Sequence, residues 1–508
     1  MSYTKNYLKI YLWQGLSFVL SFLSMFVVVP MISADKPIYG IYTICVSLSI
    51  FLQYADLGFL GAGQKFAAEA FAKKDLTTEI RITGFTTFIL LIFLLLLSVV
   101  FLVFAYAPQL IIDNLTDPAK YNIAQQLLLV LALTTPITLL QRIVQMIYVI
   151  RMEDYIFQRI NIIGNTIKIL SVFYFFGGER YNIVGYFLFI QLVSLIVPMV
   201  NIALAHRRYN YDIGLLLKSI HFDMAIFAQT QRLAFSLFFG MIAWILYYEL
   251  DAVSIGALWG AEKVAIYGIG FTLLTFVRTI LGTLFSPFYA RFNHFVDNEE
   301  GLKKLLSDVT VLYQPIVMYM LLSVTFLAEP LVLCWVGDTY RASVPVVRWL
   351  MLCNLFAFIS YPVGALLVVK QRVKEMYYLN WLVPLVFWGG ILATQHYLQE
   401  LSFAFFKWLA FLIMMLVYYK ILLSYLQLSL VNSLKRYIFA LFLPLAFLVG
   451  YYFLVQQLFV AEQNTPKLLT IALLIAIAFG ACLLLHYVSS RAFRQVVQTI
   501  TTRLLKKN

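Results

Sequence analysis

Long apolar segments separated by short polar connections make up almost the whole chain. A transmembrane helix needs about 20 predominantly apolar residues, and fourteen runs of the 508-residue sequence have membrane-spanning length. They extend over residues 8–32, 38–62, 80–106, 122–148, 156–177, 183–204, 233–257, 264–287, 309–334, 344–368, 377–397, 403–427, 436–459 and 467–489. The pattern predicts an all-α polytopic membrane protein with about 14 transmembrane helices.

One short phrase recurs and divides the chain. Ile-Tyr-Gly-Ile stands at residues 38–41 and again at residues 266–269, each time at the start of an apolar run. A shift of 228 residues maps the second span onto the eighth, the third onto the ninth, and one charged loop onto the other. Because six spans return the chain to its starting side, we expect two parallel six-helix lobes plus two C-terminal helices. The predicted divisions are residues 1–220, 221–430 and 431–508.

Composition agrees with a membrane environment. The chain is 62% hydrophobic and 12% charged, whereas soluble domains have roughly 45–50% apolar and 25% charged residues. The net charge of +13 lies in short loops and not in a basic domain. We therefore expect the lipid bilayer as a partner and no nucleic acid.

The placement of positive charge predicts the orientation in the membrane. Of the 37 Lys and Arg residues, 27 are assigned to the side of the membrane that holds both termini, whereas eight are assigned to the other side. Those eight are Lys36, Lys120, Arg180, Lys263, Arg341, Arg348, Lys407 and Lys467. By the positive-inside rule both termini are predicted to be cytoplasmic, with the first span acting as an uncleaved signal anchor.

The sequence contains no arrangement of residues that is typical of an enzyme. The five His are scattered, the four Cys lie far apart, and zinc-protease, nucleophile-elbow and phosphate-loop motifs are absent. The connections are too short for a separate catalytic domain. We expect no enzymatic activity, no metal site and no cofactor.

Two basic residues lie within the predicted spans. Lys168 falls in the fifth span and Arg278 in the eighth, and Arg142 lies near the inner end of the fourth. A charge at the bilayer centre costs about 2.5–3.5 kcal/mol on insertion scales, so such residues normally face protein or water. Since each half supplies one central cation, we predict a water-filled cavity between the halves.

Polar neighbours surround both cations. Asn161, Asn165 and Lys168 share one face of the fifth span, and Arg278 borders a Thr-rich face of the eighth. The predicted substrate-binding residues are Lys168, Arg278, Arg142, Asn161, Asn165 and Thr275. Two alternatives stay open. Hydroxyl-rich faces also occur where transmembrane helices pack closely, and the cations could form internal ion pairs.

Few acids are available as partners for these cations. Asp56 lies toward the inner end of the second span, and Glu249 and Asp251 lie toward the outer end of the seventh. Asp56 fits a helix-end or loop-anchoring acid, and all three are candidates for ion coupling or gating. A cavity with cations and few acids predicts an anionic substrate, because guanidinium binds phosphate oxygens in a bidentate manner and ammonium acts as a point charge.

The layout resembles the polysaccharide (Wzx-type) flippases of the multidrug/oligosaccharidyl-lipid/polysaccharide exporter superfamily. The likeness rests on the fourteen spans, on the two six-span repeats and on short phrases. These phrases are Tyr-Ala-Asp-Leu-Gly at residues 54–58, Asp-Ala-Val-Ser-Ile-Gly at residues 251–256 and Ala-Ile-Tyr-Gly at residues 265–268.

This resemblance implies a V-shaped bundle of two six-helix lobes in a bacterial cytoplasmic (inner) membrane. It also implies alternating-access movement of an undecaprenyl-pyrophosphate-linked oligosaccharide to the outer leaflet, such as an O-antigen, capsule or exopolysaccharide repeat unit. A Na+ or H+ gradient often drives such proteins, and polysaccharide assembly proteins are expected partners.

The sequence leaves three alternatives to this function open. A multidrug cation antiporter of the same superfamily would more naturally carry central acids, which are scarce here. A lipid II flippase would bind the same pyrophosphate chemistry. A membrane glycan polymerase or ligase is expected to have a large outer loop, whereas the outer loops of this chain are short.

Overall fold

The computed structural model describes residues 3–54 and 56–505, and this part of the chain is mostly helical and contains no β-strand. The helices are α1 (Tyr3–Ile32), α2 (Lys36–Phe51), α3 (Phe59–Ala72), α4 (Leu76–Tyr106), α5 (Pro118–Thr134), α6 (Ile137–Ile150), α7 (Asp154–Phe176), α8 (Ile183–Tyr209), α9 (Ile213–Lys218), α10 (Met224–Trp244), α11 (Asp251–Trp259), α12 (Ala261–His294), α13 (Glu299–Phe326), α14 (Ala328–Val336), α15 (Ser343–Leu352), α16 (Ala357–Val369), α17 (Val373–Leu398), α18 (Glu400–Leu426), α19 (Leu430–Tyr437), α20 (Phe442–Leu458), α21 (Thr465–Ser489) and α22 (Arg491–Leu505). Apart from the first and last turns, a helix satisfies its backbone N–H and C=O groups within the segment, as lipid requires. The predicted all-α fold class is confirmed.

The number of spans agrees with the prediction. Within the described ranges, eleven helical segments are long and apolar enough to cross a membrane. Two further pairs, α5 with α6 and α15 with α16, pass the same test together and bend by 40° and 42°. Helix α7, at 23 residues, is also long enough for a span, although its polar face lowers its hydropathy. The described part of the chain thus holds up to thirteen candidate spans, and α7 occupies the position of the predicted fifth span.

The chain forms two compact units, Met1–Ala265 and Ile266–Asn508. In the first unit, the long helix α4 is followed by the bent pair α5–α6 and then by α7 and α8. In the second unit, α13 is followed by the bent pair α15–α16 and then by α17 and α18. This repeated order supports the internal repeat. The predicted lobe boundaries at residues 220 and 430 stay predictions.

The second span is broken, which the sequence analysis did not predict. Helix α2 continues as a 3₁₀ turn to Tyr54, and α3 begins at Phe59. Between them Leu57 and Gly58 have φ angles of 48° and 80°, a left-handed conformation in which an α-helix cannot continue. The second span therefore covers Lys36–Tyr54 and ends eight residues before the predicted end at residue 62.

Aspartate side chains fix the beginnings of several helices. Those that accept a hydrogen bond from a backbone N–H of the first turn are Asp35, Asp75, Asp117, Asp212 and Asp223. Such caps satisfy N–H groups that have no partner within the helix. The backbone N–H of Ile226 and the Arg81 guanidinium lower the pKa of the Asp223 carboxyl.

A buried ion pair ties α4 to the end of α6 in the first unit. Arg151 donates to both carboxylate oxygens of Glu79, at 2.8 and 2.9 Å, and the Glu79 side chain is fully buried. Three rings, those of Phe71, Tyr209 and Tyr211, lie 4.9–5.2 Å from the guanidinium carbon. Bidentate pairing and aromatic contacts together stabilise a charge that would otherwise be costly to bury.

Aromatic rings fill the interface between α17 and α18 in the second unit. Phe403 is fully buried and packs edge to face on Phe387 and Trp388, with ring centroids 5.7 and 5.8 Å apart. Lys407, which the sequence assigns to the outer side of the membrane, lies in α18 within the predicted span 403–427. It is fully buried, with its ammonium 4.8 Å from the centroid of the Phe387 ring.

The C-terminal segment ends in an amphipathic helix, α22. Phe493, Val496 and Val497 pack on Val311 and Tyr437. Helix α21 is tied to α13 by a buried hydrogen bond of 2.8 Å between the hydroxyl of Tyr319 and Nδ1 of His486. Helix α22 thus forms part of the second unit.

Candidate substrate-binding cavity

A polar cavity of about 750 Å³ lies within the first unit. Helices α2, α3, α5, α6, α7 and α8 all contribute to its wall, together with the 3₁₀ turn after α2. Its polar lining residues are Ser49, Gln53, Gln64, Thr134, Thr135, Thr138, Gln141, Arg142, Gln145, Asn161, Asn165, Lys168, Gln191 and Ser194. These include two cations but no carboxylate. The cavity therefore offers hydrogen-bond donors and positive charge.

Lys168 projects from α7 into this cavity. Its Nζ donates to Oγ of Ser194 on α8 at 2.6 Å, and that hydroxyl donates onward to the carbonyl of Ile190 at 2.7 Å. Among the residues that the structure describes, no carboxylate lies within ion-pair distance of Lys168. A hydroxyl orients the ammonium without neutralising its charge, so the charge stays available to a ligand.

The polar face of α7 is directed inward. Asn161, Asn165 and Lys168 line the cavity from successive turns of α7. Ile163 and Leu170, on other faces of α7, are 60% and 61% exposed. Helix α7 is therefore amphipathic: its polar face lines the cavity, and its exposed apolar face is suited to contact lipid.

Arg142 lines the same cavity but has an acidic neighbour. Its Nη1 lies 3.7 Å from Oδ1 of Asp56, whose side chain is 5% exposed. The other carboxylate oxygen of Asp56 accepts a hydrogen bond from the backbone N–H of Leu60 at 2.9 Å and so caps α3. Asp56 thus has the geometry of a helix-end acid, and it offsets part of the Arg142 charge. The net positive charge of the cavity lies mainly on Lys168.

Glu249 and Asp251 lie apart from the cavity lining. Both are buried at the junction of α10 and α11, where the helix forms a π-helical turn at Ile245–Glu249. Oε1 of Glu249 accepts hydrogen bonds from the Tyr54 hydroxyl at 3.1 Å and from Nε1 of Trp244 at 3.2 Å. Since Tyr54 directly precedes the break in the second span, Glu249 is linked to that break. Its role in ion coupling stays a prediction.

Arg278 and Thr275 lie on α12 in the second unit. Arg278 is half-buried and Thr275 is exposed, and neither is among the residues that line the cavity of the first unit. The hydroxyls of Thr272 and Thr279 donate to carbonyls of α12 itself, at 2.8 and 3.0 Å. The structure thus joins Lys168, Arg142, Asn161 and Asn165 in one cavity. A cavity shared with Arg278 and Thr275 stays a prediction.

Sequence reasoning missed part of the cavity lining. Gln53 and Gln64 come from either side of the helix break, and Gln191 and Ser194 come from α8. A glutamine within an apolar span was the available signal, because an amide is costly to expose to lipid. Only the fold shows that these side chains meet those of α7.

The chemistry of this lining suits an oxygen-rich anion. Ammonium and guanidinium groups bind phosphate oxygens, and amide side chains bind sugar hydroxyls both as donors and as acceptors. Within the described ranges, no cluster of three or more His, Cys, Asp or Glu side chains could hold a metal ion.

The helical architecture is similar to that of several solved membrane proteins, and at their low sequence identity the likeness concerns the fold alone. It is similar to a lipid II flippase, MurJ, in an inward closed conformation, with a TM-score of 0.69 and 14% sequence identity over 94% of this chain and 98% of that one. It is also similar to a multidrug resistance MATE family transporter of the MOP superfamily in an inward-facing conformation, with a TM-score of 0.57 and 14% identity over 80% of this chain and 99% of that one. An outward-facing MATE family structure gives a TM-score of 0.51 and 13% identity, covering 83% of this chain and 96% of that one.

The sequence itself gives the family. Residues 39–345, more than half of the chain, match the sequence profile of the polysaccharide biosynthesis protein family. The chain belongs to that family, which confirms the resemblance found in the sequence. No curated protein sequence matches the chain significantly.

Proposed function

We propose that this protein is a flippase for an undecaprenyl-pyrophosphate-linked oligosaccharide, such as an O-antigen, capsule or exopolysaccharide repeat unit. The observation that carries the proposal is the cavity of the first unit, in which Lys168 and Arg142 stand among amides and hydroxyls without a lining carboxylate. Membership of the polysaccharide biosynthesis protein family supports the same substrate class.

The head group of such a lipid matches the cavity in charge and in size. A pyrophosphate carries negative charge that the Lys168 ammonium and the Arg142 guanidinium can bind. The attached sugars offer hydroxyls to Asn161 and Asn165. A volume of about 750 Å³ falls within the range of roughly 300–1,000 Å³ that is usual for ligand pockets.

Transport would proceed by alternating access in a bacterial cytoplasmic membrane, with both termini cytoplasmic. The fold supports this mechanism because related architectures expose a central site first to one side of the membrane and then to the other. A Na+ or H+ gradient would supply the driving force. Asp56, Glu249 and Asp251 are the candidates for ion coupling or gating, since all three are buried acids near the broken second span or the π-helical turn.

The lining favours this function over a multidrug cation antiporter. An organic cation would require a carboxylate in the cavity, and the lining of the first unit contains none. A lipid II flippase shares the pyrophosphate chemistry and differs in the glycan. In cells that lack the protein, the lipid-linked oligosaccharide should accumulate if it is the substrate, whereas lipid II should accumulate if the protein is a lipid II flippase.

Two substitutions test the proposal directly. Lys168→Ala and Arg278→Ala should each abolish surface glycan, because each removes the central cation of its half. The measurement is surface glycan per cell, with the amount of protein in the membrane determined in parallel. Arg159→Ala is the matched control, since Arg159 is exposed on the same helix as Lys168 and does not line the cavity.

Normal surface glycan in the Lys168→Ala variant, at an unchanged amount of protein, would refute the cationic cavity as the substrate site. Loss of glycan in the Arg159→Ala control would show that any loss of charge from α7 is disruptive. A loss in the Lys168→Ala variant with normal glycan in the Arg278→Ala variant would restrict the site to the first unit.

A further inference from the structure

We propose that the second unit carries a separate binding site for a phosphate anion, and specifically for the headgroup phosphate of an anionic membrane lipid. The site is a cavity of about 450 Å³. Its lining residues are Glu299, Lys303, Arg372, Val417, Lys420, Ile421, Ser424, Tyr425 and Gln427. Three segments meet here: the start of α13, the connection between α16 and α17, and the C-terminal end of α18. The positive-inside rule predicts all three at the cytoplasmic surface.

The acidic groups around this cavity are already paired. Glu299, the one acid in the lining, forms an ion pair with Lys370. Glu375 forms an ion pair with Arg372 at 2.6 Å. Both carboxylates are thereby matched by a cation, so their charge does not oppose an incoming anion.

Two further cations line the cavity beyond these pairs. In the ranges that the structure describes, neither Lys303 nor Lys420 lies within ion-pair distance of a carboxylate. The Lys303 ammonium lies 5.9 Å from the centroid of the Tyr425 ring, on a wall that also presents Ser424. Two ammonium groups and the neighbouring Ser424 hydroxyl form a donor set for phosphate oxygens.

The position of the cavity favours a lipid as the source of the phosphate. Val417 belongs to its wall and is 37% exposed, and the adjacent Leu416 is 57% exposed. Both lie on the membrane-spanning helix α18, about one turn from Lys420. The wall thus passes from ammonium groups to apolar side chains, in the order in which a lipid passes from headgroup to acyl chain. Basic pockets between transmembrane helices at the cytoplasmic surface are known to take anionic headgroups.

The test measures retention of phosphatidylglycerol by the full-length protein. The purified protein is placed in phosphatidylcholine bilayers that contain phosphatidylglycerol, and the bound lipid is quantified by native mass spectrometry. The double variant Lys303→Gln/Lys420→Gln should bind phosphatidylglycerol roughly 20-fold more weakly, since a basic residue near an anionic membrane contributes about fivefold in affinity. Lys420→Arg should bind within about twofold of the unmodified protein, because it preserves the charge.

The matched control removes the same charge from neighbouring positions. Lys304 lies next to Lys303 on α13, and Lys374 lies on α17, two positions after Arg372. Both side chains are exposed, and neither lines the cavity. The variant Lys304→Gln/Lys374→Gln should retain phosphatidylglycerol. Equal loss in both double variants, or no loss in the cavity variant, would overturn the proposal.

A second arm separates the two sources of phosphate. Inorganic phosphate is titrated onto the protein in detergent without anionic lipid. The lipid assignment predicts weak binding that does not respond to Lys303→Gln/Lys420→Gln. Tight phosphate binding that this variant abolishes, combined with no preference for phosphatidylglycerol over phosphatidylcholine, would assign the cavity to a soluble anion and overturn the lipid assignment.

Discussion

The two units share an order of helices and differ in what fills them. In the first, α7 follows a bent pair of helices and presents Asn161, Asn165 and Lys168 to a cavity of about 750 Å³. In the second, α17 follows a bent pair in the same way and presents Phe387, fully buried, to the ring of Phe403. One architecture therefore supports a polar cavity or a packed aromatic interior, and a few inward-facing side chains decide between them.

The two spans that begin with the repeated phrase differ as well. The first breaks between Tyr54 and Phe59, whereas its counterpart in the repeat, α12, continues without interruption over 34 residues, Ala261–His294. A break frees backbone groups that lipid cannot satisfy. It is tolerated in the first unit because Asp56 accepts a hydrogen bond from the Leu60 N–H and the neighbouring wall is polar. The irregular backbone between Tyr54 and Phe59 is thus stabilised by polar side chains of the first unit.

The largest expected effect follows from opening a cavity in the aromatic interior. Phe403→Ala should destabilise the protein by about 3–5 kcal/mol, because it removes a buried ring that packs against two others. Asn165→Ala, in the cavity of the first unit, should change stability by less than about 1 kcal/mol and yet lower surface glycan. Denaturation in detergent and a glycan assay measure the two responses. A comparable loss of stability in both variants would contradict the division between packing and binding.

An intermediate effect is expected from the acid beside the cavity. Asp56→Asn removes the negative charge that faces Arg142 but keeps an oxygen for the Leu60 N–H. It should tighten binding of inorganic pyrophosphate to the purified protein by roughly tenfold, while Arg142→Gln should weaken binding by a similar factor. Calorimetric titration gives both values. Weaker binding in the Asp56→Asn variant would show that the carboxylate serves the site itself and not only the helix end.

The smallest perturbation is a single cysteine that reports on water. Asn161→Cys and Thr275→Cys should react with a membrane-impermeant maleimide, since both positions are predicted to face water. Leu170→Cys should not react, because Leu170 lies on the lipid-facing side of the same helix as Asn161. The four native cysteines, all buried free thiols, give a low background. Protection of Asn161→Cys under all conditions would favour close helix packing over a cavity.

Much of the fold was readable from the chain itself. Spans such as α4, α8, α18 and α21 were predicted to within a few residues, because each is a long apolar run bounded by polar residues. The break after Tyr54 was not predicted, since a left-handed turn at Leu57 and Gly58 leaves the hydrophobic pattern intact. The burial of Lys407 was not predicted either. Hydropathy locates a charge in the sequence but not the side of the helix on which it lies.

The candidate site divides in the same way. The polar face of α7 was visible in the helical spacing of Asn161, Asn165 and Lys168, which depends on local geometry alone. The pairing of Arg142 with Asp56, about 86 positions apart in sequence, and the contact of Lys168 with Ser194 join residues from different helices. No local pattern specifies such contacts.

The sequence by itself determined that the chain is a membrane protein, that it has about fourteen predicted spans, and that the fifth span carries a basic residue. These properties follow from the solvation of each segment taken alone. Tertiary structure decided which polar faces meet, which charges are offset, and why α7 lines a polar cavity in the first unit while α17 packs its rings against α18 in the second. Those outcomes depend on contacts between distant helices, which are fixed only when the chain has folded.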